Sequence, residues 1–245
     1  QAWDLISHVQ CQFSDWMTTT FKGCNVGDLQ DEVTKMKTKQ LKAMPSKAKA
    51  WSCFVGLEKE VNEMANSLPL CGELRSKAMR DRHWQELIEL TRCPVVLDPE
   101  ADDFTLANLI DLKLHAYKTQ VEDIVEKATK ELQIEVSLGK LGETWNDNVQ
   151  FQINYEECSR TEYGEIMLIG STEQIMEQLE TDNNTLQTMQ ANKYVNFFKE
   201  KVDTWVYNIS TIESCVTKWI EIQRQWDSLY PIFILSADIK EQLPE

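Results

Sequence analysis

Between residues 198 and 226 the apolar positions step four, three, four, three: Phe198, Val202, Trp205, Ile209, Ile212, Val216, Trp219, then Gln223 in the same register, then Trp226. Side chains three and four apart share one helix face, so this pattern, sustained over about four heptads, predicts a long helix with one buried seam. At ~1.5 Å per residue, a helix over residues 194–229 is roughly 50 Å long, more than one compact core usually covers, and the expectation is a rod. The tryptophans of the seam fall in register with Ile and Val. They are therefore expected to be core rings bridging helices, each burying ~150–250 Å², with a partner-facing role as the competing reading.

The same periodicity marks the rest of the chain. Trp3, Ile6, Val9, Phe13, Trp16 and Met17 predict a helix over residues 3–21, ended by the glycines at 23 and 27. A charged helix follows over residues 29–43 and is broken at Pro45. Trp51, Val55, Leu57, Val61 and Met64 then predict one over 47–68 that Pro69 ends, and another covers 73–91. Residues 93–104, with two prolines and four acids, are a connector. Thr105 is a good N-cap for a helix of about 30 residues with Leu106, Leu109, Ile110, Leu114, Tyr117, Val121, Ile124, Val125, Ala128 and Leu132 on one face, stopped by Gly139 and Gly142. There the period changes to two. Val149, Phe151, Ile153 and Tyr155 alternate with polar residues, and EIMLIGS at 165–171 is a second short apolar run, so a β-hairpin over about 149–171 is expected, leaning on neighbouring helices. Ser171 with Gln174 forms a capping pair for a further helix carrying Ile175, Met176, Leu179, Leu186 and Met189. Residues 190–193 separate it from the seam helix, which Pro231 ends before a short buried segment. The predicted class is mostly α, an elongated rod of serial helical bundles with one small hairpin, divided into residues 1–104 and 105–245.

Composition supports this class. Only 8 glycines and 6 prolines interrupt 245 residues, 42% of which are hydrophobic. The charge adds a polarity: residues 1–130 carry 17 basic against 20 acidic side chains and residues 131–245 carry 8 against 20, so −12 of the formal −15 lies in the second part. Such a surface repels phosphate backbones and anionic lipid, which argues against nucleic-acid or membrane partners and favours a basic one; solubility alone is the simpler explanation. Seven widely spread cysteines without a CxxC pair are expected to be reduced thiols of a cytosolic protein. No run of 18 apolar residues and no signal-type N-terminus is present, so no membrane span is expected. The sequons at Asn183 and Asn208 are accordingly chance matches. The chain starts at Gln1 and stops at a polar QLPE, and so reads as a piece of something longer.

Chemistry-bearing motifs are scarce. There is no GxxxxGK[ST], and GKLGETW at 139–145 has the wrong order and spacing for a phosphate loop and fits a helix stop. His8, His83 and His115 stand apart from one another and from any Cys at ligand spacing, with no HExxH. His83 is expected at a helix surface or hydrogen-bonded in a crevice. No GxSxG elbow occurs, and carboxylates such as Glu122, Asp123, Glu126 and Glu131 are expected on a solvated face mixed with Lys127 and Lys130. No catalytic, metal-binding or cofactor-binding residue is assigned.

Several runs taken together carry a family resemblance: LPLCGELRSKAMRDRHWQEL at 68–87, FTLANLIDLKLHAYKTQVEDIVEKATKELQIE at 104–135, the TW at 144–145, YGEIMLIGSTEQIMEQLETD at 163–182, and KYVNFFKEKVDTW with WIEIQRQWDSLYPIF toward the end. In order and spacing the chain closely resembles the linker of dynein heavy chains over nearly its whole length, and axonemal chains more than cytoplasmic ones. The first 60 residues carry the likeness mainly through Trp3, Trp16 and Trp51. The resemblance implies a curved rod of helical bundles lying across a ring of AAA+ modules of the same heavy chain. It implies a lever that bends and straightens as the ring turns over ATP, in a cytoplasmic, cytoskeletal setting, the axoneme of a cilium or flagellum. Further implied partners are the tail and other dynein subunits, with microtubules reached only through distant parts. ATP and Mg would be bound by the ring elsewhere in the chain, so this piece is expected to lack a nucleotide site.

On that reading the seam residues supply stiffness, and a hinge belongs where breakers interrupt rods. The candidates are residues 93–103, residues 190–193 and, ranked first, Gly139, Gly142 and Trp145 at the junction of a long helix with the hairpin. Two other classes compete. One is a non-motor scaffold or coiled-coil tether, weakened by Gln223 and the bulk of the tryptophans; the other is an independent enzyme, for which no motif speaks.

Overall fold

The expected helices form. In the computed structural model, which describes residues 2–92, 98–99, 101–157 and 165–236, they group into two compact units, Gln1–Leu132 and Gln133–Glu245. The division falls well beyond residue 104. Leu106, Leu109, Leu114, Val121 and Ile124 are all buried in the core of the first unit, so the connector before them does not separate two cores.

The first unit contains α1 (Ala2–Met17), α2 (Val26–Lys35), the short α3 (Ser46–Lys49), α4 (Ser52–Glu73), α5 (Asp81–Thr91), the short α6 (Leu106–Ile110) and the first part of α7 (Lys118–Glu143). Ile6, Val9 and Phe13 of α1 face the core, as the spacing predicts. On α4 the buried stripe is Phe54, Leu57, Val61, Met64 and Leu68, which keeps Leu57, Val61 and Met64 of the expected set and has Phe54 in place of Val55. Trp51 only precedes the helix, and Trp51 and Val55 are exposed.

Pro69 does not end α4, which continues to Glu73. An interior proline costs about 3 kcal/mol. Leu68, Leu70, Cys71 and Leu74 on both sides of it are essentially fully buried, and each such side chain returns ~1.5–3 kcal/mol, so packing outweighs the lost hydrogen bond.

The helix expected from Thr105 is broken early. Asn108 Oδ1 accepts from both the Thr105 backbone N–H and hydroxyl, fixing the start of α6. Lys113 then takes a left-handed conformation (φ 52°), and a 3₁₀ turn, Leu114–Tyr117, leads into α7. The turn keeps Leu114 fully buried at a backbone cost of about 1–2 kcal/mol. Nearby, an isolated bridge joins Thr20 to Thr105, with Phe21 N–H donating to Phe104 C=O at 2.8 Å and Leu106 N–H to Thr19 C=O at 3.0 Å. Phe21, Trp84 and Phe104 meet pairwise edge-to-face at 5.5–6.4 Å between centroids, closing the core over this junction.

The second unit holds the rest of α7, the hairpin β1 (Ile153–Glu157) and β2 (Glu165–Ile169), α8 (Glu173–Gln190) and α9 (Lys199–Tyr230). The strands pair antiparallel with Ile153 opposite Ile169 and Glu157 opposite Glu165, inside the predicted span. Gly170 sits so close to β1 that a Cβ there would lie 2.9 Å from Gln152 Cβ, which explains a glycine at the end of β2. Helix α8 starts at Glu173 behind Thr172, without the predicted cap from Ser171. Past α9 the chain continues into a π-turn, Pro231–Leu235, in which Ile232 and Phe233 are about half exposed, so this segment is not the buried one expected.

Candidate functional site: the seam of the long helix and what it carries

Helix α9 runs unbroken for 32 residues, as its periodicity predicts. Phe198, just before it, and Val202, Ile209 and Val216 are buried, and Trp205 and Ile212 are half-buried. Phe198, Val202 and Ile209 belong to one apolar cluster with Leu179, Leu186 and Met189 of α8 and Ile134, Leu138 and Leu141 of α7, with Trp205 and Ile212 packed against it. The first half of the seam is thus covered by the chain's own helices, which leaves no bare face there for a coiled-coil dimer.

The second half is different. Trp219 is 39% exposed, and Ile222 and Leu229 are more so, while Trp226 is half-buried and stacks on Tyr230 at 5.4 Å. Of the seam tryptophans, Trp205 and Trp226 are half-buried and Trp219 is exposed, so the expectation that they are core rings is met only in part; outside the seam Trp84 is fully buried and Trp3 and Trp51 are largely exposed. Indole is large and is seldom fully enclosed, so period alone does not determine its burial.

Gln223 holds the hairpin. Its side-chain oxygen accepts the Ile169 N–H at 2.8 Å and its amide donates to the Ile169 C=O at 3.1 Å. A polar residue in an apolar register thus caps the outer edge of β2.

Of the hinge candidates, Gly139 and Gly142 lie in the last turns of α7, which ends at Glu143 within the predicted stop at 139–145 and gives way to a π-turn, Thr144–Asn148. There is room for a side chain at both positions: a Cβ at Gly139 has nothing within 4 Å, and one at Gly142 meets Asn146 Nδ2 at 3.9 Å and Trp205 Cζ2 at 4.0 Å. Trp145, in the π-turn, donates its indole N–H to Asp182 Oδ2 at 2.7 Å, and Gln178 Nε2 donates to Asp182 Oδ1 at 3.0 Å. Asp182 is buried, a role its sequence neighbourhood did not announce. At residues 190–193 the break is a tight turn, with Ala191 N–H on Gln187 C=O and Asn192 N–H on Met189 C=O. Of the connector candidate, residues 93–97 and 100 lie outside the described residues; Ala101 N–H and Phe104 N–H close turns onto Asp98 and Ala101.

The first unit contains a buried charged cluster. Glu131, expected in solvent, is 2% exposed, and its Oε2 accepts from Arg82 Nε at 2.6 Å and from His83 Nε2 at 3.2 Å. His83 is fully buried, and its Nδ1 accepts the Arg80 backbone N–H, which fixes the neutral tautomer with hydrogen on Nε2. Burial lowers the His83 pKa below its ordinary value, outweighing the opposing pull of Glu131. Lys127 pairs with Glu86 at 2.8 Å beside it. The cluster ties α5 to α7. Among the described residues no three His, Cys, Asp or Glu side chains are placed to hold a metal ion, and no helix is long and apolar enough to cross a membrane. Cys71 is sealed in the core, where burial pushes its thiol up to about 12.

The family model described as dynein heavy chain, N-terminal region 2, matches residues 1–245. This chain belongs to the dynein heavy chain family. It is 37% identical over 243 residues, 99% of its length, to a ciliary dynein beta chain of Heliocidaris crassispina. It is 37% identical over all its length to dynein axonemal heavy chain 17 of Mus musculus, and 34% identical over 99% to a flagellar outer-arm dynein beta chain of Chlamydomonas reinhardtii. It spans about 5% of the length of each of these relatives. Within the dynein heavy chain the described geometry is that of a mostly helical segment with one small hairpin.

Proposed function

We propose that this chain is the linker of an axonemal dynein heavy chain and acts as its lever, bending and straightening over the AAA+ ring of the same polypeptide while ATP and Mg are bound and turned over in the ring. The observation that carries the reading is the match of the whole chain to a single region of the family, in a chain where polar side chains tie α5 to α7 and the hairpin to α9. A lever must transmit force without yielding locally, and fixed, hydrogen-bonded crosslinks between packed helices supply that stiffness. The relatives named for cilia and flagella support an axonemal setting in the cytoskeleton, with the tail, other dynein subunits and microtubules engaged through the rest of the heavy chain.

Within this reading the compliant point is the stretch from Gly139 and Gly142 to Trp145. Two glycines lower the helix propensity of the last turns of α7, by about 1 kcal/mol each relative to alanine, and the π-turn that follows is a weaker hydrogen-bond pattern than the α-helix before it.

The test is a distance between two spin labels, one near Trp16 and one near Tyr230, in the full motor with and without an ATP-state analogue. A nanometre-scale change with nucleotide is the expected result. A fixed distance makes this span a strut and moves any bend outside it.

A further inference from the structure

The first unit holds a cavity of about 370 Å³ walled by three elements. Helix α1 contributes Phe13 and Met17, and α4 contributes Glu60, Met64 and Ser67, each set spaced three or four apart and so on one helix face. The third side is Ile110 and Asp111 at the end of α6 and His115 in the 3₁₀ turn, brought round by the left-handed Lys113.

The apolar part of the lining is packed in place. Phe13 and Met64 are buried and Met17 and Ile110 half-buried, and the Phe13 ring leans on Trp16 at 5.4 Å between centroids. Ser67, 1% exposed, hydrogen-bonds His115 Nδ1 at 3.1 Å, which pins the 3₁₀ turn to α4 and leaves Nε2 4.0 Å from Glu63 Oε1. That separation is too long for a hydrogen bond, so both atoms keep capacity toward the cavity they line. The exposed side of the lining is acidic: Glu60, Glu63 and Asp111 stand against one ammonium group, that of Lys113. Among the described residues Glu60 and Asp111 form no ion pair, and the cation nearest Glu63 is the largely exposed Lys59 at 3.7 Å.

We propose that this cavity binds a small organic ammonium ion with an aromatic body. Carboxylates alone would only make a surface negative; placed around an apolar recess, they select a molecule with one cationic and one apolar end. The Met17 and Met64 thioethers and the Phe13 ring favour an aromatic group over a saturated chain. Its ammonium group donates to Glu63 and, with the imidazole hydrogen on Nδ1, also to His115 Nε2, filling the gap between them, while Glu60 and Asp111 add attraction from the rim. The volume is at the low end of small-ligand sites and suits a single ring with a short amine arm.

The experiment is photo-crosslinking of the full-length heavy chain with a diazirine-bearing benzylammonium probe, mapped by peptide mass spectrometry. Competitors are phenethylammonium, its neutral counterpart phenethyl alcohol, its anionic counterpart phenylpropionate, and a lysine-rich peptide. Labelling is expected within residues 10–17, 60–67 or 110–115, with saturable protection by phenethylammonium and at least roughly tenfold weaker protection by the other three. Glu60→Gln with Asp111→Asn should weaken phenethylammonium about tenfold, the combined worth of two exposed ion pairs, and leave phenethyl alcohol unchanged. Both residues are exposed, so the pair of changes leaves the core intact, and Asp123→Asn with Glu126→Gln, exposed residues outside the lining, removes the same charge and should change nothing. Labelling confined to other segments, equal protection by the alcohol, better protection by phenylpropionate, or equal loss in the two double variants overturns the proposal. Stronger protection by the peptide also overturns it, and makes the cavity a socket for a basic side chain of a protein.

Discussion

Gln223 treats the peptide of Ile169 as a neighbouring strand would, receiving its N–H and donating to its C=O. The adjacent Gly170 N–H points the other way, to the Gln152 carbonyl at 2.7 Å, so Ile169 has both polar groups turned outward, away from β1. A two-stranded sheet is marginal by itself, and here one side chain of a long helix completes the outer edge of β2. Replacing Gln223 by Leu keeps the volume and the helix but strands two backbone groups. The expected cost is ~1–3 kcal/mol to the attachment of the hairpin, not to the helical core. Amide exchange at Ile169 should accelerate while exchange at Val202 and Ile209 stays slow; equal acceleration at all three would mean that the hairpin and the helices unfold as one.

His83 makes stability depend on pH in a defined sense. Its pKa is lowered in the folded chain, chiefly by burial, and is near 6.5 when unfolded, so the unfolded chain binds the extra proton first as pH falls. The stability held by neutral His83 is complete above about pH 6.5 and is lost progressively below it, with a slope of at most about 1.4 kcal/mol per pH unit for one proton. The charged groups facing the ring are Glu131, which favours the protonated ring, and Arg82 and Lys127, which oppose it. Melting temperature followed from pH 7.5 to 5 should fall more steeply in the parent chain than in His83→Gln. Parallel curves would show that His83 binds its proton equally in both states.

Gly139 and Gly142 are helical, and alanine fits at both positions. A Cβ at Gly139 meets open space and one at Gly142 makes an ordinary contact with Trp205, so each Gly→Ala change should stabilise the chain by about 0.5–1 kcal/mol through the unfolded state. If the stretch to Trp145 is the compliant point of a lever, the doubly substituted full-length motor should be more heat-stable and glide microtubules more slowly. Higher stability with unchanged velocity would remove these glycines from the hinge.

These cases show why some of the architecture was legible in the sequence and some was not. The seam of α9 could be read because its period survives in the structure: Val202, Ile209 and Val216 are buried at the predicted spacing. The hairpin could be read because its alternation starts where helical spacing stops. Breaks and breakers were harder. Leu109, Ile110, Leu114, Tyr117 and Val121 keep helical spacing across the left-handed Lys113, with no glycine or proline to mark it, whereas Pro69 marks a stop that tertiary packing overrides. The polar clusters were invisible for another reason. Arg82 and His83 meet Glu131 about 50 residues away, and Trp145 meets Asp182 across 37, so no local pattern sets these charges apart from those on solvated helix faces.

The pairing of Trp145 with Asp182 gives the most direct measure of how firmly the end of α7 is held. Asp182 is buried and accepts from two side chains, the indole of Trp145 on one oxygen and the amide of Gln178 on the other. Trp145→Phe keeps an aromatic ring but removes the donor, leaving a buried carboxylate oxygen unanswered. The expected loss is ~1–3 kcal/mol, more than the small difference in ring area would give alone. Asp182→Asn separates charge from geometry: its side-chain oxygen can still accept the indole hydrogen bond, so it should lose less than Trp145→Phe. Because Asp182→Asn removes the acceptor charge, the double variant should cost less than the sum of the two single changes. Denaturant unfolding of all four chains tests this, and strict additivity would show that the carboxylate at Asp182 holds the indole no better than an amide does.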